Sequence, residues 1–260
     1  MTTIPITTTI AKVPTSAGSL KTNKGCEKAP DEIIKQLETI YSKESGIKPS
    51  FKVIEIKANP NNSDQTNKNI LLSQADIYLG GDHSITYSTF QTLNSKDAGI
   101  IILDAHPDLD TTTDTPTHED YLRKLIEDNH IQPQNIILVG IRNYGENEME
   151  FIRQNKIRHF TAKKIFEYGI KDITDTITET ANKFAQIYLS IDIDVIDPSS
   201  APGTGNPEPV GLLAREILYL IQRIKLLKNL KKADIVEVNP DKDLNNTTTK
   251  LAARILMELL

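Results

Sequence analysis

The chain has a single cysteine, Cys26, and no long apolar run. One cysteine cannot form an intrachain disulfide, so nothing in the sequence indicates an oxidising compartment. No stretch approaches the roughly 20 apolar residues of a transmembrane helix, and residues 1–20 lack the basic and apolar regions of a signal peptide. We therefore predict an unprocessed cytoplasmic protein with no membrane partner.

The charge balance also lacks a strong excess of either sign. The formal net charge is −5 at pH 7, and acidic and basic residues are mixed along the chain. Because there is no basic patch or tail, the composition gives no reason to expect a nucleic-acid partner. The composition is that of an ordinary globular protein, and we predict one domain over residues 1–260.

Short apolar runs alternate with segments of helical spacing along the whole chain. The apolar runs are 51–56, 75–81, 99–106, 135–142, 187–194 and 233–240, and the helical segments are 31–43, 121–129, 174–185, 211–225 and 249–260. Most of the apolar runs are continuous, which is typical of strands that are buried on both faces of a parallel sheet. The alternation predicts a three-layer αβα fold with a doubly wound parallel sheet. The polar segment 59–69 is predicted to be an exposed loop.

Four of the six predicted strands end in clusters of acidic residues and histidines. The clusters are 80-GGDHS-84, 104-DAHPDLD-110, 192-DIDVIDP-198 and 237-EVNPDKD-243. In open α/β sheets, ligands bind beyond the carboxyl ends of the strands. Alternate residues of an extended chain point the same way, so Asp104, His106 and Asp108 are expected to share one side, as are Asp192 and Asp194.

Gathered carboxylates repel one another and lose hydration, so this arrangement needs a positive charge among them. Imidazole and carboxylate ligands without a thiolate favour a first-row ion such as Mn²⁺. The set is larger than one ion needs, and two ions sharing carboxylates would turn a water between them into hydroxide near neutral pH. Single aspartates have simpler explanations: Asp82 and Asp197 are typical of helix caps or turns, and Asp110 of a loop.

The same motifs resemble those of the ureohydrolases, the family of arginase, agmatinase and formimidoylglutamase. The family signatures GGDHS, DAHxD, SxDxDxxDPxxAPGTG and EVxPxxD occur in this order as 80-GGDHS-84, 104-DAHPD-108, 190-SIDIDVIDPSSAPGTG-205 and 237-EVNPDKD-243. Segment 24–33 is similar to the family's entry to its first helix. The resemblance implies an arginase-like fold, a two-manganese site and a homo-oligomer, either a trimer or a hexamer.

The resemblance also assigns the ligands. It places His83 and Asp108 on one ion and His106 and Asp194 on the other, with Asp104 and Asp192 bridging the two. It further implies hydrolysis of a guanidino compound by a metal-bridging hydroxide. In that reaction Asp108 would orient the hydroxide, Glu237 would pair with the guanidinium of the substrate and His118 would protonate the leaving amine. Glu119 and Asp120 follow His118, where the family usually has glycine and a small or apolar residue.

Residues near the expected substrate site favour agmatine, which would be cleaved to putrescine and urea. Asn143 stands where arginases carry an aspartate, and 207-PEP-209 resembles the agmatinase form of its loop. We expect Asn143 and Asn206 to contact the substrate, and the acidic pair Glu119 and Asp120 to meet the ammonium of agmatine. Asn206 and Val210 replace a threonine and a glycine of the family, so arginase, guanidinobutyrase and formimidoylglutamase activities remain open.

Two readings from other classes remain. A metal-binding relative that has lost hydrolysis would serve as a regulatory or structural subunit, and its cluster would bind metal without turnover. A deacetylase-like amidohydrolase would use one zinc ion and leave Asp104 and His106 without a task. The apolar segment 251–260 fits either the core or a subunit contact, and we predict the core.

Overall fold

The computed structural model describes residues 7–60, 62–93 and 95–260, and in these the chain forms an eight-stranded parallel sheet. The strands are β1 (Thr8–Val13), β2 (Phe51–Glu55), β3 (Ile77–Gly80), β4 (Ala98–Leu103), β5 (Ile136–Ile141), β6 (Arg158–Thr161), β7 (Gln186–Asp192) and β8 (Leu230–Val236). Their order across the sheet is β2-β1-β3-β8-β7-β4-β5-β6. All neighbours are parallel.

The helices of the described residues cover both faces of this sheet. They are α1 (Ala29–Leu37), α2 (Ser63–Leu71), α3 (Thr86–Gln91), α4 (Tyr121–Glu127), α5 (Glu146–Gln154), α6 (Ala162–Tyr168), α7 (Ile170–Ala181), α8 (Ala214–Ile224) and α9 (Thr247–Leu259). None of them combines the length and the apolar character needed to span a membrane.

Strand β4 shows how the two faces are divided. Ile101 and Leu103 pack with the apolar residues of α1 and α6 to α9, whereas Ile100 and Ile102 pack with those of α3 to α5. Successive side chains of a strand point to opposite faces, so each face of the central strands contributes to its own core. The predicted three-layer αβα fold is therefore confirmed.

The helix α9 belongs to the first of these cores. Its residues Ala252, Ile255, Leu256 and Leu259 are buried there. The prediction that the C-terminal apolar segment packs in the core is confirmed.

The structure differs from the local predictions in three strands and one loop. Strands β1 and β6 were missed, because the first begins with two threonines and the second is only four residues long. Strand β2 was predicted as a strand, but unlike the continuous runs it lies at the edge of the sheet and all five of its residues are exposed.

The predicted loop 59–69 instead contains most of α2, while residue 61 lies outside the described residues. The side chain of Asn62 caps this helix by accepting a hydrogen bond from the main-chain nitrogen of Gln65 at 3.0 Å. Thr66 and Ile70 are buried on its inner face. Capping and two buried positions are enough for a short helix in a segment whose polar composition suggests a loop.

Val210 has a backbone conformation that favours glycine. Its φ is 57°, and 79% of the residue is exposed. A side chain in this left-handed region costs about 1–2 kcal/mol. Glycine avoids this cost, but it destabilises the fold by roughly 0.5–1 kcal/mol because it has more conformational freedom in the unfolded chain. We expect Val210→Gly to raise the free energy of unfolding by ~1 kcal/mol, measured by urea denaturation. Val210→Ala keeps a Cβ and is the control; equal stability of the two variants would contradict the strain.

Candidate metal centre and active site

The four strands that carry the acidic and histidine motifs are neighbours in the sheet. Their order is β3-β8-β7-β4, and they end at Gly80, Val236, Asp192 and Leu103. The carboxyl ends of parallel strands meet at one edge, so the following turns gather their side chains at one place. His83, Asp104, Asp108, Asp192, Asp194 and Glu237 are all buried there, and His106 is partly exposed.

The sequence suggested that alternation along the strands brings these side chains together. In the structure, turns after the strands do so instead. Strand β4 ends at Leu103, before the motif begins. Asp104 Oδ1 accepts a hydrogen bond from the main-chain nitrogen of His106 at 2.7 Å, and Asp192 Oδ1 accepts one from that of Asp194 at 2.8 Å. The spacing of two residues is that of an aspartate closing its own turn. In each turn the second carboxylate oxygen is left to face the site.

Three of these carboxylates surround His83. Its Nδ1 lies 3.1 Å from Asp104 Oδ2, 3.1 Å from Asp108 Oδ2 and 3.2 Å from Asp192 Oδ2. No pair among them has hydrogen-bond geometry, since His83 Nδ1 and Asp104 Oδ2 have no hydrogen-bond partner within the described residues. An imidazole nitrogen and three carboxylate oxygens that point at one space without bonding to each other form a candidate metal site.

A second group of ligands lies beside the first. His106 Nδ1 is 3.1 Å from Asp194 Oδ2 and 3.5 Å from Asp104 Oδ1. The atoms of Asp104, His106 and Asp194 lie within 4.8 Å of one another, as do those of His83, Asp104 and Asp192. Asp104 belongs to both groups, which is the position expected of a bridging ligand.

The hydrogen bonds of His83 present its Nδ1 as an acceptor. Ser190 Oγ donates its proton to Asp234 Oδ1 at 2.7 Å, so at its 2.9 Å contact with His83 Nε2 it must accept. A proton on Nε2 of the neutral ring would serve this contact and leave a lone pair on Nδ1 toward the carboxylates. Asp234 is held in turn by the hydroxyls of Thr86 at 2.7 Å and Tyr188 at 2.8 Å. Such outer contacts fix the tautomer and orientation of a metal-binding histidine.

The electrostatics of the cluster also fit a divalent cation. Burial and the charge of Asp104 raise the pKa of Asp108 to about 7. Burial and the charges of Asp194 and Asp104 raise the pKa of Asp192 well above its ordinary value. The protein alone thus supplies too little positive charge to keep every carboxylate ionised, and a bound cation would supply the rest.

Glu237 is buried beside this cluster and held on both sides. Its Oε1 accepts a hydrogen bond from the main-chain nitrogen of His83 at 2.6 Å, and its Oε2 accepts one from Asn23 Nδ2 at 2.6 Å. The φ of Glu237 is 64°, an unusual value for a side chain of this size. Its main-chain nitrogen donates to the oxygen of Gly81 at 2.7 Å. A Cβ on Gly81 would lie 1.8 Å from the main-chain oxygen of Thr15, so only glycine fits there.

His118 lies next to Glu237 and lines the same cleft. Its Nδ1 is 3.4 Å from Glu237 Oε1, and its Nε2 is 3.3 Å from Thr22 Oγ1. Burial lowers the pKa of His118, but the hydrogen bond and charge of Glu237 outweigh this effect and raise the pKa to about 9. Below that pH the imidazole holds a proton that it can release to a basic group in the cleft.

The cleft has a volume of about 580 Å³ and opens above the metal ligands. It is lined by His83, His106, Asp108, Asp110, His118, Glu119, Asn143, Tyr144, Gly145, Glu146, Asn147, Glu148, Asp192, Asp194, Asn206 and Glu237. Both residues expected at the substrate, Asn143 and Asn206, therefore lie in its wall. The Asn143 amide also donates to Glu208 Oε1 at 2.6 Å.

Asp120 does not reach the cleft, so its predicted contact with a substrate ammonium was wrong. The residue is buried, and its carboxylate accepts hydrogen bonds from the main-chain nitrogens and hydroxyls of Thr113 and Thr117, at 2.6 to 2.9 Å. It fixes the loop that carries His118. The adjacent Glu119 points the other way and lines the cleft.

The simpler readings of three aspartates are confirmed. Asp82 caps the turn at His83–Ile85 by accepting from the main-chain nitrogen of Ser84 at 3.0 Å. Asp197 accepts from those of Ser199 and Gly211, both at 3.0 Å. Asp110 is an exposed loop residue whose side chain accepts from the main-chain nitrogen of Thr111.

Several residues that hold the site were missed in the sequence. They are Asn23, Tyr121, Ser190, Glu208 and Asp234. Ser190 opens one of the recognised motifs, which was a usable signal. Asn23 lies 214 positions before its partner Glu237, and no local pattern connects the two.

Comparison with known proteins gives the class of this site. The chain matches the arginase family over residues 7–260. The chain belongs to the arginase family. Over 251 residues it is 29% identical to an arginase of Staphylococcus aureus (strain MSSA476), covering 90% of this chain and 82% of that protein. This arginase-family protein thus carries the residues of a binuclear metal site on the scaffold of ureohydrolases, which hydrolyse guanidino compounds.

Solved structures confirm the arginase-like fold. The formimidoylglutamase of Bacillus subtilis superposes with a TM-score of 0.89 at 26% identity, covering 98% of this chain and 87% of that one. An agmatine ureohydrolase of Thermoplasma volcanium gives 0.82 at 25% identity, with 96% and 87% covered. Because these relatives of the arginase-family protein are named for different substrates, the comparisons establish its reaction class and leave the substrate to be inferred from the cleft.

Proposed function

We propose that this protein is a manganese-dependent agmatinase that hydrolyses agmatine to putrescine and urea as a single domain over residues 1–260. Two Mn²⁺ ions would be held by His83, Asp104, His106, Asp108, Asp192 and Asp194. The donor set of imidazole and carboxylate, without a thiolate, suits this ion. When bound, the ions supply the Lewis acidity that makes water a nucleophile near neutral pH.

The protein side chains would bind and orient the reactants. Glu237 would accept two parallel hydrogen bonds from the guanidinium, since its oxygens are already fixed in place by His83 and Asn23. Asp108 would orient the attacking water toward the guanidinium carbon. Asp108 would take one proton from the water as its oxygen bonds to that carbon. His118 would give its proton to the alkyl nitrogen as the bond to that nitrogen breaks, and the remaining hydroxyl proton would pass to solvent as urea forms. Asn143 and Asn206 would contact the substrate from the wall of the cleft.

The negative charge at the mouth of the cleft is the observation that favours agmatine as the substrate. Asp110, Glu119 and Glu146 are exposed carboxylates in its lining, and neither lysine nor arginine is present among the described residues that line it. A substrate with an ammonium at its far end would be attracted by this mouth, whereas one with a carboxylate would be repelled. Agmatine has a guanidinium at one end and an ammonium at the other, and it lacks the carboxylate of arginine.

A matched pair of substrates tests this proposal. We expect the kcat/KM of the manganese-loaded protein for agmatine to exceed that for 4-guanidinobutyrate by about 100-fold, because like charges brought together cost several kcal/mol. The two compounds differ mainly in the charge of the distal group. Urea release is the measurement, and the difference should shrink as salt rises, since the carboxylates at the mouth are exposed.

Removing two of the mouth charges should reduce the preference. In the double variant Glu119→Gln/Glu146→Gln we expect a higher KM for agmatine, while kcat/KM for butylguanidine, which has the guanidinium but no charge at its far end, stays unchanged. Equal activity on agmatine and guanidinobutyrate in the unmodified protein would refute the agmatinase assignment. Full metal loading without urea release from agmatine, arginine or guanidinobutyrate would instead support a non-catalytic relative.

A further inference from the structure

We propose that Glu208 is a positioning residue that holds the imidazole of His106 so that Nδ1 faces Asp104 and Asp194. Glu208 lies outside the ligand groups and was not singled out in the sequence as a site residue. The inference deepens the proposed function and rests on its two-metal site.

The first observation is the contact between the two side chains. His106 Nε2 lies 3.4 Å from Glu208 Oε1, on the side of the ring away from the ligand group. A carboxylate accepts hydrogen bonds and does not donate them, so the ring proton is drawn to Nε2. Nδ1 then presents its lone pair to Asp194 and Asp104, which lie 3.1 Å and 3.5 Å away.

The second observation is that Glu208 itself is held from the end of β5. Asn143 Nδ2 donates to the same Oε1 atom at 2.6 Å. The Arg142 guanidinium donates to the main-chain oxygens of Glu208 at 2.7 Å and Pro209 at 3.0 Å. It also donates to the main-chain oxygen of Asp194 at 2.7 Å, which ties this loop to a ligand-bearing turn. Pro207 and Pro209 flank Glu208 and restrict its backbone.

The third observation is that each histidine has its own outer partner. Ser190 and Asp234 set the tautomer of His83 inside the core. Glu208 takes the corresponding place for His106 near the mouth, where both side chains are partly exposed. The pair Asn143 and Glu208 is also chemically linked, since an aspartate at position 143 would put two carboxylates in contact. Asn143 thus supports the metal site through its hydrogen bond to Glu208, and it also lines the cleft.

Manganese titration of variants tests the inference. In Glu208→Ala we expect the Mn²⁺ site that His106 serves to lose about 10- to 100-fold in affinity, the range for loss of an outer partner of a ligand. The affinity of the site that His83 serves should be unchanged. Calorimetry gives the two affinities, and electron paramagnetic resonance reports loss of the coupled manganese pair. Glu150→Gln removes the same charge from an exposed position on α5 and should leave both affinities unchanged.

A conservative variant keeps the test independent of folding. Glu208→Gln can keep an oxygen toward both Asn143 and His106, so we expect a smaller loss than in Glu208→Ala. Asn143→Asp should weaken the second site, because the carboxylates at positions 143 and 208 would repel each other.

Two outcomes separate the inference from the proposed function. If the unmodified protein binds two Mn²⁺ ions and the Glu208 variants bind both with unchanged affinity, the positioning role is overturned. If the unmodified protein binds fewer than two ions, the two-metal function itself fails and the role of Glu208 fails with it.

Discussion

Replacement of Asp192 by asparagine is expected to lower kcat/KM for agmatine roughly 10³-fold or more. Loss of an outer partner of a metal ligand costs 10- to 100-fold, and loss of a ligand costs more. The amide oxygen can keep the 2.8 Å hydrogen bond from the main-chain nitrogen of Asp194. The amide nitrogen then replaces Oδ2, which lies 3.2 Å from His83 Nδ1, and its protons occupy the space for the metal. Urea release and manganese content per chain measure the effect.

The same variant should separate metal binding from folding. Because burial and neighbouring charges raise the pKa of Asp192 well above its ordinary value, its charged form is unfavourable in the fold. Without manganese, Asp192→Asn should therefore melt at the same temperature as the unmodified protein or higher. With manganese, it should lack the rise in melting temperature that a bound ligand gives.

Asp197→Asn is the matched control, since Asp197 lies in the same segment but its carboxylate accepts from the main-chain nitrogens of Ser199 and Gly211 and belongs to neither ligand group. It should keep both manganese ions and most of the activity. Two firmly bound ions in Asp192→Asn, with normal turnover, would contradict the ligand role of Asp192.

Glu237→Gln is expected to lower kcat/KM by about 10²- to 10³-fold while manganese binding persists. A hydrogen bond to a charged group contributes roughly 1.5–3 kcal/mol, and the guanidinium would lose its ionic partner. The amide would also put a donor against either the main-chain nitrogen of His83 or Asn23 Nδ2. Asn23 cannot rotate freely to accept it, because Asn23 Oδ1 accepts from Asn239 Nδ2 at 2.6 Å.

The pH profile of this variant carries a second expected result. Glu237 is the main group that raises the pKa of His118 to about 9, and the protonated imidazole is the proposed acid. Activity that depends on this acid is lost as the pH rises through its pKa. In Glu237→Gln the pKa of His118 falls, so this loss should occur at lower pH than in the unmodified protein.

Glu258→Gln is the matched control for Glu237→Gln. Glu258 is also buried, and its Oε1 accepts from the main-chain nitrogen of Glu44 at 2.8 Å, but it lies on α9 in another part of the molecule. It should change stability and leave kcat/KM and the pH profile as they were. An unshifted profile in Glu237→Gln would mean that His118 is not the acid or that Glu237 does not govern it.

The central sheet was predictable because its strands are continuous apolar runs. The runs in β4 and β5 are buried on both faces, and this environment favours continuous apolar residues. The edge of the sheet was not predictable in the same way. Strand β2 is interrupted by Lys52 and Glu55 and is exposed, and its place at the edge follows from the order of the strands in the sheet.

The position of the candidate site was predictable from its motifs, but the reason for its geometry was not. The sequence placed Asp104, His106 and Asp108 together by strand alternation, although the strand ends before them at Leu103. Turns closed by Asp104 and Asp192 gather the side chains instead. The same fold turns Asp120 inward and Glu119 outward, a difference that two adjacent acidic residues do not reveal in the sequence.

The sequence by itself determined the fold class and the candidate ligands, because both depend on local patterns: apolar runs in buried strands, and aspartates and histidines in short turns after them. The tertiary structure alone decided which strands are neighbours and hence that four motifs meet at one edge. It also decided the partners that orient the site, such as Asn23 on Glu237 and Glu208 on His106. These contacts join residues about 100 or 200 positions apart, and only the packing of the sheet brings such residues together.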